Sequence, residues 1–126
     1  MNKEHQARII EEFPDFFPDI FGDPMKTCLA FGLDIGDGWY PMFHQLCRDI
    51  RAAGATEEFA FLQVKEKFGG LRAYYSNGNK AIGELVSAAE NASYTICECC
   101  GSTENVTSEG SWITTLCGNC RLPKPV

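Results

Sequence analysis

An α+β fold, with a small antiparallel β-hairpin packed against helices and a C-terminal module built on four cysteines, is predicted by three features of this 126-residue sequence. Two stretches carry helical apolar spacing: Phe43, Leu46, Cys47 and Ile50, and then Ile82, Leu85, Val86 and Ala89, each at i, i+3, i+4 and i+7. Between them lie two runs of strand-like alternation joined at Gly69-Gly70. Five of the seven cysteines then crowd into the last thirty residues. An apolar content of 44% is enough to bury one modest core, so residues 1–126 read as a single domain: an α+β body over 1–96, a cysteine module over 97–120 and a tail over 121–126.

Taken in order, KEHQARIIEEF predicts a helix with Ala7, Ile10 and Phe13 inward and Glu4, Arg8 and Glu11 towards water. Pro14, Pro18 and Pro24 break the next stretch into turns, whose four phenylalanines are expected to plug the core edge. Leu29, Phe31 and Leu33 alternate like a short strand interrupted by glycines, so this segment reads as strand or loop. Pro41 suits the first turn of a helix running to about Ala53, which Gly54 stops. Ala60, Leu62 and Val64 then alternate with Phe61, Gln63 and Lys65, and Leu71, Ala73 and Tyr75 with Arg72 and Tyr74. Gly69-Gly70 supplies a tight turn between the two strands. Asn77-Gly78 ends the second, and Asn79 caps a helix from Lys80 to about Tyr94 that delivers the chain to Cys97.

Cys97-x-x-Cys100 and Cys117-x-x-Cys120, separated by sixteen residues, have the spacing of a four-thiolate zinc site, making the module zinc-ribbon-like. Two intervening residues let one tight turn aim both sulfurs at a single ion; Gly101 and Gly118-Asn119 are residue types such turns favour. Four protein thiolates close the coordination sphere, so a Zn²⁺ ion here is expected to be structural. An iron–sulfur cluster also uses four thiolates, and a redox Cys-x-x-Cys needs only one pair. Cys99 is surplus and is read as a spare thiol. The loop between the pairs is too polar to pack by itself, so metal binding is expected to order it.

The net charge is −6, and four thiolates on Zn²⁺ bring it to about −8, a poor start for gripping polyphosphate. No window is apolar enough for a membrane span and the N-terminus is too charged for a signal peptide, so a soluble, cytoplasmic protein is expected. The sequence contains no H-E-x-x-H, no H-x-E before the cysteines and no P-loop, and no catalytic constellation is recognised. His44-x-x-Cys47 could share a helix face, but Cys47 belongs to the apolar stripe and His44 has no acidic companion at a suggestive spacing. His5 reads as solvated, Cys28 as a small buried hydrophobe, and Asp15, Asp19, Asp34 and Asp37 as turn formers rather than cation ligands.

Lys65, Lys67 and Arg72, accompanied by Phe68 and Tyr74, are the candidate nucleic-acid contacts, with a solvated strand face as the simpler reading. Trp39, Tyr40 and Trp112 are candidate partner contacts, with core packing the equal alternative. DGWYP at Asp37–Pro41, QVKEKFGGLRAYY at Gln63–Tyr75, and ICECCG with GSWITTLCGNC resemble a family of small bacterial and bacteriophage proteins to which no activity is assigned. The likeness spans roughly Gly36 to Cys120. Its C-E-x-C-G arm implies Cys97 and Cys100 as ligands and leaves Cys99 as the departure. The residues lead to the expectation of a non-enzymatic zinc-binding protein that binds a protein partner, and the family's occurrence in phages implies as a further expectation a small acidic, anti-CRISPR-like inhibitor of a bacterial defence system. The alternative expectation is a nucleic-acid-binding accessory protein using the KEKFGGLR hairpin.

Overall fold

The centre of the molecule is the hairpin of β2 (Ala60–Lys67) and β3 (Gly70–Ser76), in a computed structural model that describes residues 1–18, 20–22, 29 and 32–122. Before it come α1 (Lys3–Glu12), β1 (Leu33–Asp34) and α2 (Tyr40–Ala52); after it come α3 (Lys80–Ser93), β4 (Val106–Glu109), β5 (Thr114–Cys117) and α4 (Gly118–Arg121). β1 joins the edge of β2 in parallel, Leu33 opposite Val64, which adds a parallel strand to the expected antiparallel pair. β4 and β5 form a separate antiparallel hairpin. Among the described residues no helix is long and apolar enough to cross a membrane.

The two middle helices follow their apolar stripes. Phe43, Leu46, Cys47 and Ile50 of α2 are all buried, as are Ile82 and Val86 of α3, with Leu85 and Ala89 partly covered against the same core. The Asn79 side chain accepts from the Ile82 N–H (2.9 Å) and its amide donates to the Ala53 carbonyl (3.0 Å), so the cap of one helix also clasps the end of the other.

Where the strands were expected to alternate strictly, the pairing slips between Phe61 and Gln63. The bulge turns Phe61 and Val64 inward and leaves Leu62 half-exposed, so Ala60, Leu62 and Val64 do not share a face. The turn also differs from expectation: Lys67 pairs with Gly70, and the turn residues are Phe68 and Gly69, at φ 53° and 83°. The free edge of β3 is covered by side chains of α3. The Leu71 N–H donates to Ser93 Oγ (2.9 Å) and the Ala73 N–H to Glu90 Oε2 (3.1 Å), which satisfies donors that would otherwise invite another strand.

On α1 the fully buried face is Ile9 and then Phe13; Ile10 is partly buried against the same core, and Ala7 is exposed. The reason is polar: Gln6 Oε1 accepts the Leu33 N–H (2.7 Å), which turns the row Gln6, Ile9, Phe13 towards the core. Pro24 lies outside the described residues, and the described part of the proline-rich stretch behaves largely as expected. A short 3₁₀ turn at Pro14–Phe16 sets Phe16 and Phe17 inward beside Phe13, and they pack on Phe59 (4.9 Å) and Phe61 (5.3 Å) respectively. Phe21 is the exception, exposed to solvent.

Candidate metal centre

The chain leaves α3 and turns at once into the first cysteine arm. The Cys97 N–H donates to the Ser102 carbonyl (2.8 Å) and the Gly101 N–H to the Cys97 carbonyl (2.9 Å), closing a tight loop that carries Cys97 and Cys100. The second arm starts at the end of β5 with Cys117, which caps the one-turn helix α4 and so brings Cys120 back beside it. Arg121 holds α4 to its own hairpin, its Nη2 donating to the Thr107 (2.6 Å) and Thr114 (2.9 Å) carbonyls.

The four sulfurs of Cys97, Cys100, Cys117 and Cys120 lie within 4.8 Å of one another and could hold a metal ion. Cys100 Sγ and Cys117 Sγ are 3.7 Å apart. Four sulfurs at ~2.3 Å around a single tetrahedral ion stand about 3.8 Å from each other, so the arrangement is the right size for one ion. Cys97 and Cys117 are buried while Cys100 is exposed, which places the centre at the rim of the molecule. Burial pushes the Cys97 thiol up, but backbone N–H groups of Cys117, Cys100 and Cys99 aimed at its sulfur prevail and bring it to about 6. Cys120 is pushed up by the neighbouring thiols of Cys117, Cys100 and Cys97. Such a cluster can carry several thiolates only with a cation at its middle. The Cys99 sulfur stands outside the set, on the surface.

The module rests on the body through residues whose role no spacing rule reveals. Trp39 Nε1 donates to the Ile96 carbonyl (2.8 Å), the Gly38 N–H to the Glu98 carbonyl (2.8 Å), and the Gly36 N–H to Glu98 Oε2 (3.0 Å). A Cβ on residue 38 would overlap the Cys97 carbonyl oxygen and come within 2.6 Å of the Gly101 nitrogen, so only glycine lets the cysteine loop sit down here. On the other side the Thr115 hydroxyl donates to the Gly69 carbonyl (2.5 Å), and the Glu98 N–H to the Thr115 carbonyl (3.0 Å). DGWYP, FGGLR and the cysteine arms, dispersed along the chain, thus meet around one centre. Burial pushes the Glu98 carboxyl up, against the opposing effect of the Gly36 N–H.

Of the candidate contact residues, Trp39 is fully buried, which is the core-packing alternative. Tyr40 is partly covered, stacked on His5 at 4.0 Å. Lys65 faces Arg72 across the hairpin; Arg72 also donates to the Tyr94 hydroxyl (3.0 Å). Lys67 stands over the Phe68 ring at 5.6 Å, and Trp112 is exposed at the β4–β5 turn.

Several polar readings change. His5 is half-buried rather than solvated, its Nδ1 3.3 Å from Asp37 Oδ1, and the Asn2 N–H donates to the same oxygen (2.6 Å). His44 does have an acidic companion, Glu12 at 2.9 Å, invisible to local spacing because it lies 32 residues earlier. Asp15 is not a free turn former but accepts both Nη groups of Arg51 at 2.8 Å. Cys47 is buried in the core, and burial pushes its thiol up. Asp19 and Cys28 lie outside the described residues. Among the described residues, only the cysteine quartet gathers three or more metal-ligating groups closely enough for an ion. The chain matches no protein-family model, and no curated protein or solved structure is significantly similar to it.

Proposed function

We propose that this chain is a zinc-binding protein in which one structural Zn²⁺, held by Cys97, Cys100, Cys117 and Cys120, staples the C-terminal module to the body, and that the stapled surface docks a protein partner. The observation that carries the reading is the single-ion spacing of four sulfurs, with 3.7 Å between Cys100 and Cys117. That spacing favours one ion over a [4Fe–4S] cube, in which each cysteine bonds a different iron and the sulfurs stand farther apart. A structural role for the ion is supported by the setting: four protein ligands leave no position for water or substrate, and the neighbouring hydrogen bonds anchor the loop rather than arrange a reaction; a lone iron would be held by the same four thiolates, and metal analysis tells the two apart. The ion's work is therefore to order a polar loop that has little apolar surface of its own to bury.

Elemental analysis of protein purified under reducing conditions tests this directly. One zinc per chain, without the visible absorbance of ferric thiolate, is expected; iron, or no stoichiometric metal, overturns it. The partner is tested by affinity capture with the metal-loaded protein followed by mass spectrometry. The resemblance to bacteriophage proteins supports components of bacterial defence complexes as the first partners to assay. A nucleic-acid reading draws on Lys65, Lys67 and Arg72 sharing one side of the hairpin; the net charge of −6 counts against it.

A further inference from the structure

We infer that the adjoining tips of the two hairpins form a docking slot for an acidic protein segment bearing a bulky apolar side chain; this deepens the protein-partner reading above and rests on it. The slot, about 370 Å³, lies between the β2–β3 turn and the β4–β5 turn and is lined by Lys65, Glu66, Lys67, Phe68, Ser111, Trp112 and Ile113.

Phe68 is the first pointer. It occupies a left-handed turn position at φ 53° and is 66% exposed. A two-residue turn of this kind is best served by Asn followed by Gly, and a phenylalanine there adds both backbone strain and exposed apolar area. It contributes nothing to the buried core, so the fold does not account for it. The second pointer is on a different hairpin: Trp112 is 81% exposed and Ile113 38%, and both turn to the same slot. Exposed aromatics from separate elements converging on one concavity are the usual make-up of an anchor site.

The two tips are fixed relative to one another. Thr115 Oγ1 donates to the Gly69 carbonyl at 2.5 Å, and a Cβ on Gly69 would stand 3.1 Å from Ile113 Cγ2. A partner therefore meets a surface already in place, without an ordering cost for the loops. Because Thr115 lies two residues before Cys117, the proposed zinc would brace the slot as well.

Charge selects the occupant. Lys65 and Lys67 flank the slot, and Arg72 stands opposite Lys65 on the same side of the hairpin. The one acid in the lining, Glu66, accepts the Gly69 N–H at 2.7 Å and so is engaged in holding the turn. The result is a small cationic, aromatic site on a chain of net charge −6. A short acidic segment gains the local attraction, whereas a long polyanion would also run over the acidic remainder. The concavity has room for one or two side chains, which suits an apolar anchor better than a row of stacked bases.

The test uses the full-length, metal-loaded protein on an immobilised array of nonapeptides in which net charge and central residue vary independently, with labelled oligo-deoxythymidine as the polyanion. Binding is expected to rise with negative charge and with Leu, Phe or Trp at the centre. Trp112→Ser and Phe68→Asn should each weaken the preferred peptides about tenfold or more, with metal content retained and the melting temperature not lowered. The double change Lys65→Glu with Lys67→Glu should invert the preference towards basic peptides, a readout that loss of structure cannot produce. Binding independent of peptide charge, insensitivity to all of these substitutions, or oligo-deoxythymidine bound in preference to every acidic peptide would overturn the inference. Zinc measured on the same sample separates the two readings: one zinc per chain without peptide selectivity sinks the slot alone, and selective binding without zinc sinks the metal assignment alone.

Discussion

Replacing Gly38 by alanine should damage the metal module more than a comparable change inside the cysteine arm itself. The added methyl would overlap the Cys97 carbonyl oxygen and lie 2.6 Å from the Gly101 nitrogen and 2.7 Å from the Glu98 carbonyl carbon, all backbone atoms that no rotamer change can move. The cysteine loop must lift, which breaks the Gly38 to Glu98 bond (2.8 Å) and the Trp39 to Ile96 bond (2.8 Å). Two hydrogen bonds at about 0.5–1.5 kcal/mol each, with about 1–3 kcal/mol for overpacking, give a loss of roughly 2–6 kcal/mol. For a chain of this size that is a fall in melting temperature on the order of 10–20 °C. The control is Gly118→Ala, between two proposed ligands, where the nearest heavy atom to a new Cβ is Asn105 Cβ at 3.9 Å and no left-handed backbone is required. It should be nearly neutral. Thermal melts by circular dichroism, paired with zinc titration against a chromophoric chelator, compare the two. A Gly38→Ala protein that melts and binds metal like the parent, or a Gly118→Ala protein that is the worse of the pair, would refute the seating described for the module.

Chelation of the metal should unfold β4, β5 and the loop between the cysteine pairs before the body; amide exchange should lose protection there first, with a linkage contribution of about 4 kcal/mol if free zinc stands a thousandfold above its dissociation constant. Phe68→Asn should raise stability by about 0.5–1 kcal/mol in urea denaturation, because asparagine tolerates the left-handed position that strains phenylalanine. Ser93→Ala removes a fully buried hydroxyl that accepts the Leu71 N–H and donates to the Glu90 carbonyl (2.6 Å), and should cost about 1–3 kcal/mol by leaving the amide unpaired. The hydrogen bonds from Arg51 hold the Asp15 carboxyl below its ordinary value. Both side chains are over a third exposed, so the pair contributes less than about 1 kcal/mol. With the folded value depressed, that contribution is whole above the unfolded pKa of about 3.9 and disappears as pH falls through the lower folded value. Asp15→Asn should therefore flatten the acid limb of a stability–pH curve and change little below it.

Features decided by neighbours in the chain were legible in advance. The stripes of α2 and α3 repeat within single helices, the Asn79 cap acts three residues ahead, and each Cys-x-x-Cys pair is one turn. Features decided by partners across the fold were not. The bulge at Phe61/Gln63 depends on pairing with β3, the buried face of α1 on a hydrogen bond from Gln6 to Leu33, and the partner of His44 on a helix 32 residues away. Trp39 and Trp112 carry the same two readings in the sequence, partner contact or core packing; packing buries one completely and leaves the other in solvent.

Local periodicity and cysteine spacing by themselves determined the two central helices, the hairpin and the four-sulfur set, because each depends on chain geometry over a few residues. The tertiary structure alone decided where that set is seated and what it braces. Contacts such as Gly36 with Glu98 and Trp39 with Ile96 span 62 and 57 residues, and the meeting of two hairpin tips at Gly69 and Thr115 spans 46. Distances of that kind are set by the packing of the whole core, to which no short stretch of sequence has access.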